Sequence, residues 1–195
     1  MKKRDFLAGV AALTMLASLR SAQAVTPAPA SPTIPAEFMP REVRIRAEFA
    51  PGEIHVDPSQ FALYWTMPGR KAIRYTVGIG RPGLYEPGEF YVARKAKWPS
   101  WTPTPDMIRR NPGAYARFAD GVPGGPSNPL GARALYLYTP ERGDTYLRIH
   151  GTNAPHTIAR RVSNGCARLV NEHIVDLYDR VPTGTRVVLY ASPTG

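Results

Sequence analysis

Residues 149–169 read IHGTNAPHTIARRVSNGCARL and hold a histidine and, sixteen residues later, the one cysteine of this 195-residue chain. A thiol and an imidazole are the parts of a nucleophile–base pair, in which the imidazole takes the proton and the sulfur attacks a carbonyl. A single cysteine closes no intramolecular disulfide, and cysteine also serves as a small buried hydrophobe. Position favours the nucleophile. Ser163, Asn164 and Gly165 form a turn-prone run, and a helical turn is expected to begin at Cys166. Free N–H groups and the macrodipole at such a start would favour a thiolate. The N–H groups of Gly165 and Cys166 are the expected oxyanion hole, with Gly165 admitting a substrate backbone at close range.

Near neutral pH the base should be a histidine. Of the four, His150 has the best position, because it ends the apolar run TYLRI and precedes a glycine, at a sheet-to-loop junction. His55 alternates within EIHVD and is expected to face solvent. His173 falls on a helix surface, and His156 lies in the loop as a candidate for shaping the site. No Asp or Glu occurs between residues 145 and 171, so the carbonyl of Gly151 is the candidate for orienting the imidazole. Arg168, two residues past the cysteine, offers a fork suited to a carboxylate, or else serves as a structural arginine. Four histidines without paired spacing and one cysteine make no zinc site. No metal and no cofactor are expected.

These groups need a rigid support, and the sequence supplies mostly strands. VRIRAEF, EIHVD, FALYWTM, KAIRYTVGIG and EFYVARKA alternate or run apolar, separated by turn residues, with MPGRK as a hairpin turn. RALYLYT, TYLRIHG and TRVVLYA continue the pattern. NEHIVDLYDRV has a helical apolar stripe (Ile174, Val175, Leu177, Tyr178, Val181) with Asn171 as its cap. Between them, residues 97–131 read as a long irregular segment. Its one expected helix is TPDMIRRN, with Thr104 as N-cap, Pro105 at the first helical position and a Pro-Gly stop. An ordered loop of that length is usually functional.

The N-terminus reads as an export signal. Lys2, Lys3 and Arg4 precede the apolar run FLAGVAALTMLASL, and AQA (Ala22 to Ala24) suits a signal peptidase. The run is shorter than the ~20 residues of a membrane span. Residues 1–24 are therefore expected to be removed, by either the Sec or the twin-arginine route, placing the mature chain in the periplasm. Residues 25–42 form an Ala/Pro-rich leader, and residues 43–191 one domain. Loss of the signal removes four basic residues (Lys2, Lys3, Arg4, Arg20) and Asp5, so the formal charge falls from +10 to +7. With no zinc-finger spacing and no RNA-binding aromatic motif, that charge is read as a solvated surface and not as a nucleic-acid site.

The run from His150 to Leu169 resembles the catalytic motif of the L,D-transpeptidases, the YkuD-type domain, in particular the ErfK/YbiS group. YTVGIGRPGLYEPGEFYVARKAKWPSWTPTPDM, GGPSNPLGARALYL and NEHIVDLYDRVPTGTRVVL extend the likeness over residues 43–191. Three positions depart from the pattern: Glu86-Pro87-Gly88 in the turn before GEF, Ala159 after Ile158, and Ala167 after the cysteine. None is a catalytic group. The resemblance implies a mostly β, β-sandwich-like domain with short helices. It implies Cys166 as nucleophile, His150 as base, Gly151 as its carbonyl partner, and Arg168 reading substrate, with Ser163 and Asn153 also on the substrate side. The implied reaction joins a peptidoglycan stem peptide to Cys166 as a thioester, with loss of D-Ala. An amine then takes the acyl group: another stem, an envelope lipoprotein lysine or a free D-amino acid. Water in its place would make a hydrolase of the same fold. A wall-binding module without activity would not need the full His150–Gly165–Cys166–Arg168 set, and a papain-type protease would place cysteine before histidine.

Overall fold

The computed structural model describes residues 34–192. The expected export signal, and the leader as far as residue 33, lie outside the described residues. Among the described residues no helix is long and apolar enough to cross a membrane.

The chain runs through β1 (Arg41–Arg44), β2 (Ile54–Asp57), β3 (Ala62–Met67), β4 (Lys71–Thr76), β5 (Ile79–Gly80) and β6 (Gly88–Lys97). Two short helices follow, α1 (Pro105–Arg110) and α2 (Pro112–Tyr115). Then come β7 (Arg133–Thr139), β8 (Gly143–His150), β9 (Arg161–Ser163), β10 (Ala167–Arg168), helix α3 (Asn171–Arg180) and β11 (Arg186–Leu189). Nine strands form one sheet in the order β1–β4–β3–β2–β11–β6–β7–β8–β10, and β5 pairs with β9 in a second, two-stranded sheet.

Each run read as a strand contributes one. MPGRK makes the β3–β4 hairpin, where Gly69 takes φ +77°. KAIRYTVGIG splits at Val77–Gly78 into β4 and β5, and the very short β9 and β10 carry no period by which to be foreseen. Ile54, Val56, Leu63, Trp65 and Tyr75 share one buried cluster with Leu135, Leu137, Leu147 and Ile149. Strands sit about 4.8 Å apart, so on a flat sheet β4 and β8, six spacings apart, would be ~29 Å from each other. One common core therefore requires the sheet to curl over on itself, as the sandwich-like expectation has it. Ile174 and Leu177 of α3 enter the same core, both fully buried.

Four local expectations need correction. Asn171 does not cap α3. Val170 occupies that position, and the Asn171 side chain leaves the helix to bond other backbone. Residues 97–131 carry a second helix, because Asn111 caps Pro112 through Ala114 N–H (3.1 Å) where a stop was expected. His55 and His173 are both 5% exposed and not on the surface. His55 is covered by Phe49 and Tyr190, and His173 packs beside Tyr75. Thr104 does cap α1, accepting from Met107 N–H at 3.2 Å.

Candidate active site

β8 is the element on which the site is built. Leu147 and Ile149 point into the core, so alternation sends Tyr146, Arg148 and His150 to the opposite face. β10 runs parallel to it, with Ala167 opposite Ile149 and Arg168 opposite His150. Cys166 stands at the head of that short strand. The histidine and the cysteine, sixteen residues apart in the chain, are thereby held on adjacent strands.

His150 is 4% exposed, and its Nδ1–H donates to the Gly151 carbonyl at 2.5 Å. A carbonyl only accepts, so this bond leaves the Nε2 lone pair as the basic site. Burial, reinforced by the Arg168 and Arg148 charges and opposed by the hydrogen bond to Gly151, lowers the His150 pKa to about 3. The ring is therefore neutral throughout the physiological range, the form in which it accepts a proton. The turn that carries it is clamped by Asn171, whose Oδ1 accepts from Ala132 N–H (2.9 Å) and Thr152 N–H (3.3 Å). A Cβ on residue 151 would lie 2.4 Å from that oxygen, which is why glycine follows the histidine.

Cys166 is half-buried. Burial pushes its thiol pKa up. The Arg148 backbone N–H and the Arg148 and Arg168 charges pull the other way. The thiol points at the Tyr146 carbonyl, 3.9 Å away. Tyr146 presents that carbonyl with φ +61°, a strained conformation of the kind that clusters at functional sites.

No helix starts at Cys166, contrary to expectation. The anion-stabilising groups come from β8 and Arg168 and not from a macrodipole. Gly165 is required for a different reason from substrate access. Its φ is +118°, and a Cβ there would sit 2.8 Å from the Leu84 carbonyl and 2.9 Å from Leu147 Cδ2. Of the two expected oxyanion donors, Gly165 N–H is turned to Ser163 Oγ at 3.3 Å. The Cys166 N–H is the one the turn does not consume. Ser163, expected on the substrate side, is 1% exposed, and its hydroxyl donates to the Cys166 carbonyl at 2.6 Å. It shapes the Cys166 turn from behind. Asn153 is exposed, and its amide donates to Ser127 O at 2.7 Å, tying the loop after His150 to the long segment. His156 is exposed within the Pro155–Thr157 turn.

The stem of Arg168 packs on Gly78, where a Cβ would come within 2.9 Å of Arg168 Cγ. One terminal nitrogen donates to Thr157 Oγ1 at 3.3 Å, while Nε is buried without a partner. No carboxylate among the described residues pairs with this guanidinium. Asn164 draws two more cations to the cysteine turn: its Oδ1 accepts from Arg81 (3.0 Å) and Arg110 (3.4 Å), and its Nδ2 donates to Tyr115 Oη (2.8 Å). In this way α1 and α2 of the long segment reach the site. Tyr146 and Arg148 were not singled out from the sequence, and Asn164 and Asn171 were read only as a turn residue and a helix cap. For Tyr146 and Arg148 the signal was present, since both share the strand face of His150.

The family model described as the L,D-transpeptidase catalytic domain, YkuD, matches residues 51–189. Probable L,D-transpeptidases ErfK/SrfK and YbiS of Escherichia coli are each 40% identical over 147 and 143 residues, 72% of this chain. The chain spans less than half of their length, 44% and 45%. Among solved structures, a Brucella melitensis protein described as a probable carnitine operon oxidoreductase is 45% identical, with TM-score 0.54, over 79% of this chain and 94% of that one. An Enterococcus faecium L,D-transpeptidase, at 17% identity and TM-score 0.52 over 72% of this chain and 50% of that one, shares the fold. The matched domain carries the whole His150–Cys166 arrangement, and this chain belongs to the L,D-transpeptidase (YkuD) family.

Proposed function

We propose that this protein is a cysteine acyltransferase acting on peptidoglycan stem peptides in the bacterial periplasm, with Cys166 as nucleophile and His150 as base. The observation that carries the reading is the pairing of β8 with β10. It supports the reading by bringing Cys166, one residue ahead of β10, against the strand that ends in His150, whose Nδ1–H is engaged by the Gly151 carbonyl. Because burial favours a neutral thiol and a neutral ring alike, proton transfer to Nε2 accompanies attack and no ion pair is preformed. The sulfur bonds to the carbonyl carbon between an L-centre and a D-Ala. The adduct's oxygen is held by the Cys166 N–H. His150 returns the proton to the departing D-Ala amine, leaving a thioester. An acceptor amine, from a second stem or a lipoprotein lysine, attacks the thioester, loses its proton to His150 and releases the thiol.

Arg168 supplies the donor subsite: a mostly buried guanidinium with no carboxylate of its own suits the free carboxylate of a stem peptide. Incubation of the protein with tetrapeptide stems, followed by mass spectrometry, tests the reading. A thioester on Cys166 with loss of one alanine, absent in Cys166→Ser, is the expected result. Full turnover by Cys166→Ser would end it, and tripeptide without cross-linked product would identify a hydrolase.

A further inference from the structure

The outer face of β2 and β3 carries a concave site that the chemistry proposed at Cys166 does not use. Ile54 and Val56 face the core, so His55 between them faces away from it. The chain from residue 44 to 49 folds over that face, and Tyr190, just past β11, lines it as well. They enclose a groove of about 410 Å³, within the size of small-molecule sites. Phe49, Tyr64 and Tyr190 line it with aromatic rings. Phe49 meets the His55 ring edge-on at 4.9 Å, and Tyr190 stacks on it at 5.9 Å. Tyr190 is 39% exposed, one of four large hydrophobic side chains left so open among the described residues.

Charge in the groove is lopsided. Arg44, Arg46 and Arg70 line it, against Asp57 as its one acid. Asp57 is occupied with Ser59 and with Gln60, whose Oε1 in turn accepts from the Tyr64 hydroxyl. Arg46 has Glu48 at 3.6 Å. Arg44 and Arg70 pair with no carboxylate among the described residues, and Arg70 is held at φ +61° in the β3–β4 turn. The groove therefore combines flat apolar faces, neutral hydrogen-bonding groups and two uncommitted guanidinium forks.

We propose that this groove binds an acidic saccharide, its ring lying on Tyr64 and Tyr190 and its carboxylate held by Arg44 and Arg70. Aromatic faces suit the C–H face of a sugar ring, the Gln60 amide and Tyr64 hydroxyl suit its hydroxyls, and a guanidinium pairs a carboxylate bidentately. A small inorganic anion would leave the aromatic walls unused. A purely apolar ligand would desolvate the arginines with nothing in return. The site is separate from the reaction centre, since β2 lies four strands from β8 along the sheet.

The test titrates the purified protein with N-acetylmuramic acid, which has a free carboxylate, and with N-acetylglucosamine, the related ring without it, while nuclear magnetic resonance follows His55, Tyr64 and Tyr190. The acidic sugar is expected to shift these resonances and to bind about tenfold more tightly than the neutral one, the scale of one charge-assisted contact. Arg44→Gln with Arg70→Gln should erase that preference while leaving turnover at Cys166 unchanged. Tyr64→Leu, which keeps the charges, should weaken both sugars. Equal binding of the two sugars, no response to the acidic one, or shifts confined to the Cys166 turn would overturn the proposal. So would a groove that responds to phosphatidylglycerol vesicles and not to sugar.

Discussion

Lowering the pH should destabilise this protein through His150, by an amount the structure sets. In the unfolded chain the imidazole titrates near 6.5, and in the fold near 3. Below pH 6.5 the unfolded state takes up a proton that the native state does not. Stability is thus complete above the unfolded value and falls as pH drops through the window between 6.5 and about 3. Each unit is worth about 1.4 kcal/mol, so at pH 4.5 the loss from this group is ~2.7 kcal/mol. For a domain of this size that is roughly 5–10 °C in Tm. His150→Asn removes the titration while keeping an N–H within reach of the Gly151 carbonyl. Guanidinium unfolding of both proteins between pH 4.5 and 7.5, followed by tryptophan fluorescence, isolates the effect, because the buried His55 and His173 are common to the two. The stability gap between wild type and variant should shrink by that ~2.7 kcal/mol at the acid end. Parallel profiles would show that the ring is not held neutral, and the kinetic argument for a neutral base would fall with it.

The same neutrality predicts that kcat/KM has no acid limb centred near pH 6.5. A bell-shaped profile with that limb would assign His150 an ordinary pKa. Arg168→Lys should lower kcat/KM by ~1–3 kcal/mol with little change in Tm, since lysine keeps the charge and loses the fork. A large fall in Tm with normal kinetics per folded molecule would make the residue structural. Asn171→Ala leaves Ala132 N–H and Thr152 N–H without their acceptor and should cost ~1–3 kcal/mol in denaturant unfolding. It should also slow acylation, because the His150–Gly151 turn loses its clamp, and normal acylation would refute the positioning role. Gly165→Ala should cost at least ~2 kcal/mol, as its Cβ meets the Leu84 carbonyl at 2.8 Å. Wild-type melting behaviour would show that the cysteine turn yields.

Much of this was legible in the residues. Alternation along TYLRIHG placed His150 on a strand end with one face apolar, and the gap without acids from 145 to 171 left the Gly151 carbonyl as its partner. Turn chemistry at MPGRK and the capping pair Thr104–Pro105 are short-range effects, settled by φ preferences and one hydrogen bond, so they too could be read locally. Asn171 shows where local reading stops. Its type suits a cap, yet its oxygen serves N–H groups of residues 132 and 152, which no neighbouring residue in the sequence announces.

The proposed chemistry rests on residue identity: a lone cysteine after glycine, a histidine before glycine, and an arginine two residues past the cysteine. Which groups surround them depends on strand pairing across long sequence separations. β10 has two residues and no periodicity, and it exists because β8 offers it unpaired backbone. That pairing puts Cys166 beside Arg148 N–H and not at a helix start, and it commits Ser163 and Gly165 to the turn. Burial of His55 and His173 arises in the same way, from aromatic rings brought in by distant segments. Local propensity acts over a few residues, whereas desolvation and pKa shifts follow from everything packed around a group, and that packing is complete only once the sheet has curled around its core.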